Sequence, residues 1–302
     1  MNIVGRKNIF FAISGTLVLL STFAILAFGF RQGIDFLGGT LWQFRTGESA
    51  ATSDVSNFFK TDLRLEDAAV SFDASNGTFL VRLRVIEEAE HEQHALALKS
   101  KFPGFEELSF QSIGPSIGET LRKNALIAIV LVLVGISLYV AVVFRKVSYP
   151  VSSWKYGVIT LLTLFHDVLI PAGLLAFLGR YQSIDVDSNF VVALLVVMGF
   201  SVHDTIVVFD RIRENLRTGR ERGDFAAVVN QSVNQTFARS LNTSLTLILV
   251  LIALFVVGPP NLRYFILTLL VGVTVGTYSS IFIASPALFL AHRVPGRKES
   301  SR

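Results

Sequence analysis

Two aspartates sit inside otherwise apolar stretches, and a histidine directly precedes each. They are Asp167 in LLTLFHDVLIPAGLLAF, after His166, and Asp204 in VVALLVVMGFSVHDTIVVFD, after His203. A charge in hydrocarbon costs at least ~2.5–3.5 kcal/mol on insertion scales, so such groups are rare and turn toward a bundle interior or a water path. Asp is too short to reach the interface and needs a partner, a water or a proton. The chemistry open to it is proton binding and release. Desolvation favours the neutral acid and a nearby cation favours the carboxylate, so a group balanced between them can load and discharge a proton. The imidazoles of His166 and His203 titrate near neutrality and can relay. Helix neighbours point about 100° apart, so His203 and Asp204 do not face one point.

Each of these groups also has a plainer reading. Pro171, four residues after Asp167, lacks the amide that would bond the Asp167 carbonyl. The freed acceptor, the carboxyl and the imidazole either hold water or form a structural knot at a kink. Asp204 lies near the end of its apolar run, so it either works as a proton acceptor or simply reaches interfacial water. Arg239, in FARSLNTS, is the candidate counter-charge; the alternative is an interfacial, snorkelling arginine.

The elements that must position these groups are membrane helices. Hydrophobic residues make up 51% of the 302, and five long apolar runs follow the N-terminal one. About 20 apolar residues cross a bilayer as a helix. We read six spans, at 9–29, 124–144, 154–178, 188–209, 242–258 and 262–290. Pro286 is expected to kink or end the sixth. The first is read as an uncleaved helix, since its run exceeds a typical signal-peptide core and no clear cleavage site follows. There is no cysteine, which excludes disulfides, thiolate catalysis and iron–sulfur ligation. No GxxxxGK[ST] loop offers an ATP site. No cofactor, metal or nucleic-acid partner is expected, whereas membrane lipid is.

Loop charge sets the orientation. Arg6 and Lys7, then Arg145, Lys146 and Lys155, then the arginine-rich loop 210–240 and the basic tail 292–302 are expected on the cytoplasmic side. Residues 31–123 carry 10 basic against 14 acidic side chains, net −4, and belong outside. Both termini are therefore inside. The domains follow: 1–30 tip and first span, 31–122 external domain, 123–291 remaining bundle, 292–302 tail. The loop 210–240 has polar and apolar residues at helical spacing and is expected to lie along the membrane surface. Gly272 and Gly276 form a helix-contact surface.

The external domain reads β-α-β-β-α-β, a ferredoxin-like layer. The expected elements are a strand over 35–44 with a bulge at Gly38-Gly39, and a helix at 53–61 capped by Ser53. Strands at 68–73 and 78–86 follow, joined at Asn76-Gly77, then a helix at 87–101 and a strand at 105–113. His91 and His94 are spaced for a metal, but with no third ligand they are expected on a solvated face.

Three motifs carry a specific resemblance. GIDFLGGT (33–40: Gly33, Asp35, Phe36, Gly38, Gly39, Thr40), LFHDVLIPAG (164–173) and SVHDTIVVFDRIREN (201–215, ending in Asp210, Arg211, Arg213, Glu214 and Asn215) resemble the SecF family. The likeness runs from about Gly33 to Pro286. It departs at His203, where the family usually has Asn, and at Leu37, where it often has Thr.

The resemblance implies half of a resistance–nodulation–division fold: six spans, with a domain between the first two. It also implies a SecD-like second half, work beside the SecYEG channel on translocating polypeptide, and promotion of late protein export in the bacterial cytoplasmic membrane. The coupling ion would be H⁺, with Na⁺ as the alternative. Asp204 and Arg239 take the family's proton-path positions. The expected cycle protonates Asp204, repacks the helices and moves the external domain through the first and second spans. Two rival readings are half of a small-molecule or lipid exporter of the same superfamily and an intramembrane aspartyl protease. The protease needs Asp167 and Asp204 side by side, and the sequence has no GxGD motif.

Overall fold

Six apolar runs become six long helices. The computed structural model describes residues 2–47, 50–74, 76–146, 151–182, 184–218 and 224–292. The basic tail 293–302 and the segment 219–223, with Arg220, Glu221 and Arg222, lie outside the described residues. The helices are α1 (Lys7–Phe28), α5 (Pro115–Val143), α6 (Ser153–Gln182), α7 (Ser188–Thr218), α8 (Phe225–Val257) and the pair α9 (Arg263–Ser279) and α10 (Ser285–Ala291). All six spans are long and apolar enough to cross a membrane.

The chain divides into two compact units. One holds residues 1–31, 127–184 and 189–302; the other holds 32–126 and 185–188. Within the first, α6 packs on α1 and α9, and α9 packs on α8. Small residues set these approaches. A Cβ on Gly173 would lie 2.4 Å from Ser21 Cα, and one on Gly272 2.3 Å from Val197 Cγ2. A Cβ on Gly276 would meet Ser201 Cβ at 3.0 Å, so the 272/276 pair is the helix-contact surface its spacing indicates.

Two expectations about this unit need correction. Residues 210–218 and 224–240 do not form a surface-lying helix. They continue α7 and α8 as a helical hairpin, because their buried positions (Ile212, Asn215, Val228, Val229, Ser232, Val233) face one another rather than a lipid interface. Pro286 does not end the sixth span: helical backbone runs from α9 through a π turn at Ser280–Ala284 into α10, and Pro286 sits just after that turn, in the first turn of α10.

The second unit contains α2 (Ile34–Leu37), β1 (Gly39–Arg45), α3 (Thr52–Asn57), β2 (Ala69–Asp73), β3 (Thr78–Leu83), α4 (Glu88–Lys101) and β4 (Glu106–Ile113). Its four strands are antiparallel in the order β2-β3-β1-β4, as a ferredoxin-like layer requires. Alternation builds the core: Trp42 and Phe44 from β1, then Phe79, Val81 and Leu83 from β3, point inward to Val55, Phe59 and Leu98. Truncating a buried aromatic of this kind to Ala costs about 3–5 kcal/mol.

Local details differ from expectation. Ile34–Leu37 is a helical turn, not strand. The register shift falls between Gln43 and Phe44, not at the glycines. Ser53 caps nothing; Ala51 occupies the cap position of α3. His91 is not on a solvated face. It is 8% exposed, stacked on Phe110 with ring centroids 3.7 Å apart, and near Trp42. Its Nδ1 lies 3.2 Å from Glu88 and its Nε2 2.8 Å from Glu107, which also accepts from the Trp42 indole at 3.0 Å. An imidazole fits there because its polar edge finds carboxylates while its face covers an aromatic ring. His94 is half-buried beside Glu90, at 3.4 Å.

Candidate functional site

Asp167 and Asp204 both face the interior of the helical unit, at 0% and 2% exposure. The helical period decides this. On α6, Thr160, Thr163, Asp167, Ile170 and Pro171 fall on the buried face; on α7, Val197, Ser201, Asp204, Thr205 and Val208 do.

Asp167 is fully engaged. Its Oδ1 lies 2.8 Å from His166 Nδ1, and its Oδ2 accepts from Ser201 on α7 and from Ser279 on α9, the latter at 2.8 Å. His166 is itself buried, and its Nε2 has no hydrogen-bond partner among the described residues.

Asp204 has a sparser shell. Ser244 on α8 donates to its Oδ2 at 3.3 Å, and Thr277 on α9 lies 2.6 Å from the Ser244 hydroxyl. One residue on, Thr205 meets Ser280 of the π turn at 2.8 Å, and the Ser280 hydroxyl also reaches the Ser201 carbonyl at 3.2 Å. A π turn leaves backbone groups offset from the regular ladder and recurs at functional sites. Helices α8 and α9 and this turn thus bring hydroxyls to the 201–205 stretch of α7, while α6 brings the Asp167 carboxylate to Ser201.

The remaining expected residues are spread out. His203 is exposed, one position from Asp204 and on another face of α7. Arg239 is also exposed and forms no ion pair with Asp204 among the described residues. Its neighbour Ser240 takes the buried face, and the 100° step to Arg239 turns the guanidinium away. Within this chain the counter-charge is therefore not brought to the acid. Asp167 and Asp204 keep separate hydrogen-bond shells.

The 210–215 motif joins α7 to α8. Asn215 Nδ2 donates to Ser232 at 2.8 Å and to Gln235 at 2.9 Å, and Arg211 Nε donates to the same Gln235 oxygen at 2.6 Å. Arg211 pairs with Glu214 at 2.5 Å and Arg213 with Asp210 at 3.6 Å, both one helical turn apart. The 33–40 motif lies in the sheet unit. There Thr40 is buried and meets Ser112 at 2.9 Å, Phe36 is buried, and Leu37 is exposed.

Ser201, Ser244, Thr277, Ser279 and Ser280 were not singled out from sequence. A signal was available: Ser201 precedes Asp204 by three residues and shares its face, and the hydroxyls of SLNTSLT and TYSS interrupt apolar spans. Among the described residues, no three His, Asp or Glu side chains converge as a metal cluster.

Comparison with known proteins points one way. Residues 93–294 match the family model described as protein export membrane protein SecD/SecF, C-terminal. The chain is 41% identical to the protein translocase subunit SecF of Thermobaculum terrenum, over 94% of this chain and 92% of that one. It is 35% identical to the SecF of Sebaldella termitidis, over 97% and 92% of the two chains. A crystal structure of SecDF from Thermus thermophilus, titled a translocon-associated membrane protein, superposes with a TM-score of 0.81 at 35% identity. That match covers 96% of this chain and 38% of the longer one. This multi-pass membrane protein belongs to the SecF family.

Proposed function

We propose that the chain acts as a SecF subunit of the Sec translocase, using the proton gradient to promote late steps of protein export. Its partners in this reading are a SecD-like second half, the SecYEG channel and the emerging polypeptide. Its place is the bacterial cytoplasmic membrane, with both termini inside and the sheet unit outside. Asp204 is the proton acceptor. The observation that carries this is an acid at 2% exposure whose hydroxyl contact from Ser244 is long, at 3.3 Å, with no Lys or Arg ion-paired to it among the described residues. Such a group can change its proton without dismantling a salt bridge.

Proton binding moves the chain only if two conformations bind the proton with different affinity. A proton crossing ~100 mV yields about 2.3 kcal/mol, enough to bias a packing equilibrium and too little to unfold a domain. Asp167, by contrast, is tied on both oxygens and serves as the hub against which α7 repacks; His166, with its open Nε2, is the relay candidate beside it. Arg239 completes the path when a second half covers its face.

The test is Asp204→Asn. It should assemble with a co-purifying SecD-like partner and lose gradient-dependent export. Full gradient-dependent export in that variant would refute the reading. Export that follows a Na⁺ gradient and ignores an uncoupler would replace H⁺ with Na⁺.

A further inference from the structure

The proton path makes no use of the 33–40 loop, yet that loop is tied at several points within the sheet unit. Asp35 Oδ2 accepts from the Ser188 amide at 2.8 Å and from the Ser188 hydroxyl. Ser188 is the first residue of α7, whose leading N–H groups have no acceptor within their own helix. A carboxylate at that end also complements the helix dipole. The acceptor comes from 153 positions away in the chain.

The residues just before Ser188 are held as well. Gly33 donates to the Val186 carbonyl at 2.9 Å, Gln32 bridges Val186, and Arg82 of β3 is ion-paired with Asp185. On its other side the loop meets the start of α5. Gly38 has φ +78°, and a Cβ there would lie 2.8 Å from Pro115 Cα; one on Gly118 would lie 2.9 Å from the Gly38 nitrogen. Gly39, at φ +116°, would place a Cβ 3.1 Å from the Leu83 carbonyl. The positive φ and the backbone contacts leave room only for glycine. One eight-residue loop, continuing from α1, thus holds the first residues of both the second-span and the fourth-span helices against the sheet.

We infer that the 33–40 loop is the joint through which α7, the helix bearing Asp204, drives the sheet unit, with Asp35 and the Arg82–Asp185 pair as its positioning residues. This rests on the role of Asp204 proposed above, and it adds a third route to coupling through the first and second spans. Any displacement of the start of α7 acts on 185–188. That segment is fastened to the sheet unit by a cap, a strand bridge and an ion pair, so it carries the displacement rather than absorbing it.

The test compares gradient-dependent with gradient-independent export in the intact, partner-containing complex. Asp35→Ala should keep gradient-independent export and lose the gradient-dependent part by ~2- to 30-fold, the population change that loss of a helix cap produces. Asp35→Asn retains an oxygen that caps as well as Asp and should stay within about 2-fold of the parent. Arg82→Asp and Asp185→Arg should each lose the gradient response, and the two together should regain it. If Asp35→Ala fails to accumulate, the charge exchange decides alone. An undiminished gradient response in Asp35→Ala, or no recovery in the exchanged pair, overturns the joint. A response lost in Asp204→Asn but intact in the joint variants sinks this inference only, whereas a response intact in Asp204→Asn sinks the proton reading itself.

Discussion

Ser201 and Ser279, on different helices, donate to the same oxygen of Asp167. The carboxylate therefore pins α7 and α9 to α6 at one point, and three polar partners converge on a side chain with no exposed surface. Asp167 is a packing hub as much as a titratable group.

Asp167→Ala should lower stability by about 1–3 kcal/mol, chiefly through Ser201, whose hydroxyl loses its acceptor, while Ser279 keeps the Gly276 carbonyl. Asp167→Asn keeps one carbonyl oxygen and should cost less. Thermal unfolding of the solubilised complex measures both, and equal melting temperatures for the parent and the Ala variant would contradict the hub.

Gly173 allows α1 and α6 to approach. Gly173→Ala puts a methyl 2.4 Å from Ser21 Cα, a backbone atom that cannot rotate away, so α1 must shift. We expect a loss of about 1–3 kcal/mol, typical of overpacking. Gly15→Ala, on the same first helix with nothing within 4 Å, should be neutral. The same melting measurement separates the two.

Asn215→Leu removes two hydrogen bonds between α7 and α8 at a buried position and leaves Ser232 and Gln235 facing an apolar side chain. Amides of 224–240 should exchange with deuterium at least several-fold faster, since a net bond is worth about 1 kcal/mol and a factor of 10 is about 1.4 kcal/mol. Unchanged protection would mean that apolar packing alone holds the hairpin.

His91→Ala empties a site stacked on Phe110 and strips Glu107 of one of its two side-chain partners. The attachment of α4 to the sheet should weaken by about 2–4 kcal/mol, between the costs of removing an aliphatic and an aromatic side chain. Hydrogen exchange confined to α4 and β4 in the full chain reports it.

Much of this was legible locally. Six apolar runs announce six helices because a bilayer leaves a backbone no other way to satisfy its hydrogen bonds. The strand alternation of 78–83 and the Asn76-Gly77 turn specify a hairpin through side-chain period and backbone conformation. The two buried aspartates stand out because charge in an apolar run is costly.

The sequence by itself determined most element types, the number of spans and the two acids set within them, since each follows from the chemistry of neighbouring residues. Tertiary structure decided which groups meet. It set Asp35 on Ser188, turned Arg239 outward while Ser240 faces in, buried His91 on an acidic helix, and ran α7 and α8 on through charged sequence as a hairpin. Contacts of this kind depend on helix rotation and on which faces come together over more than 100 positions of chain, and no local pattern encodes that.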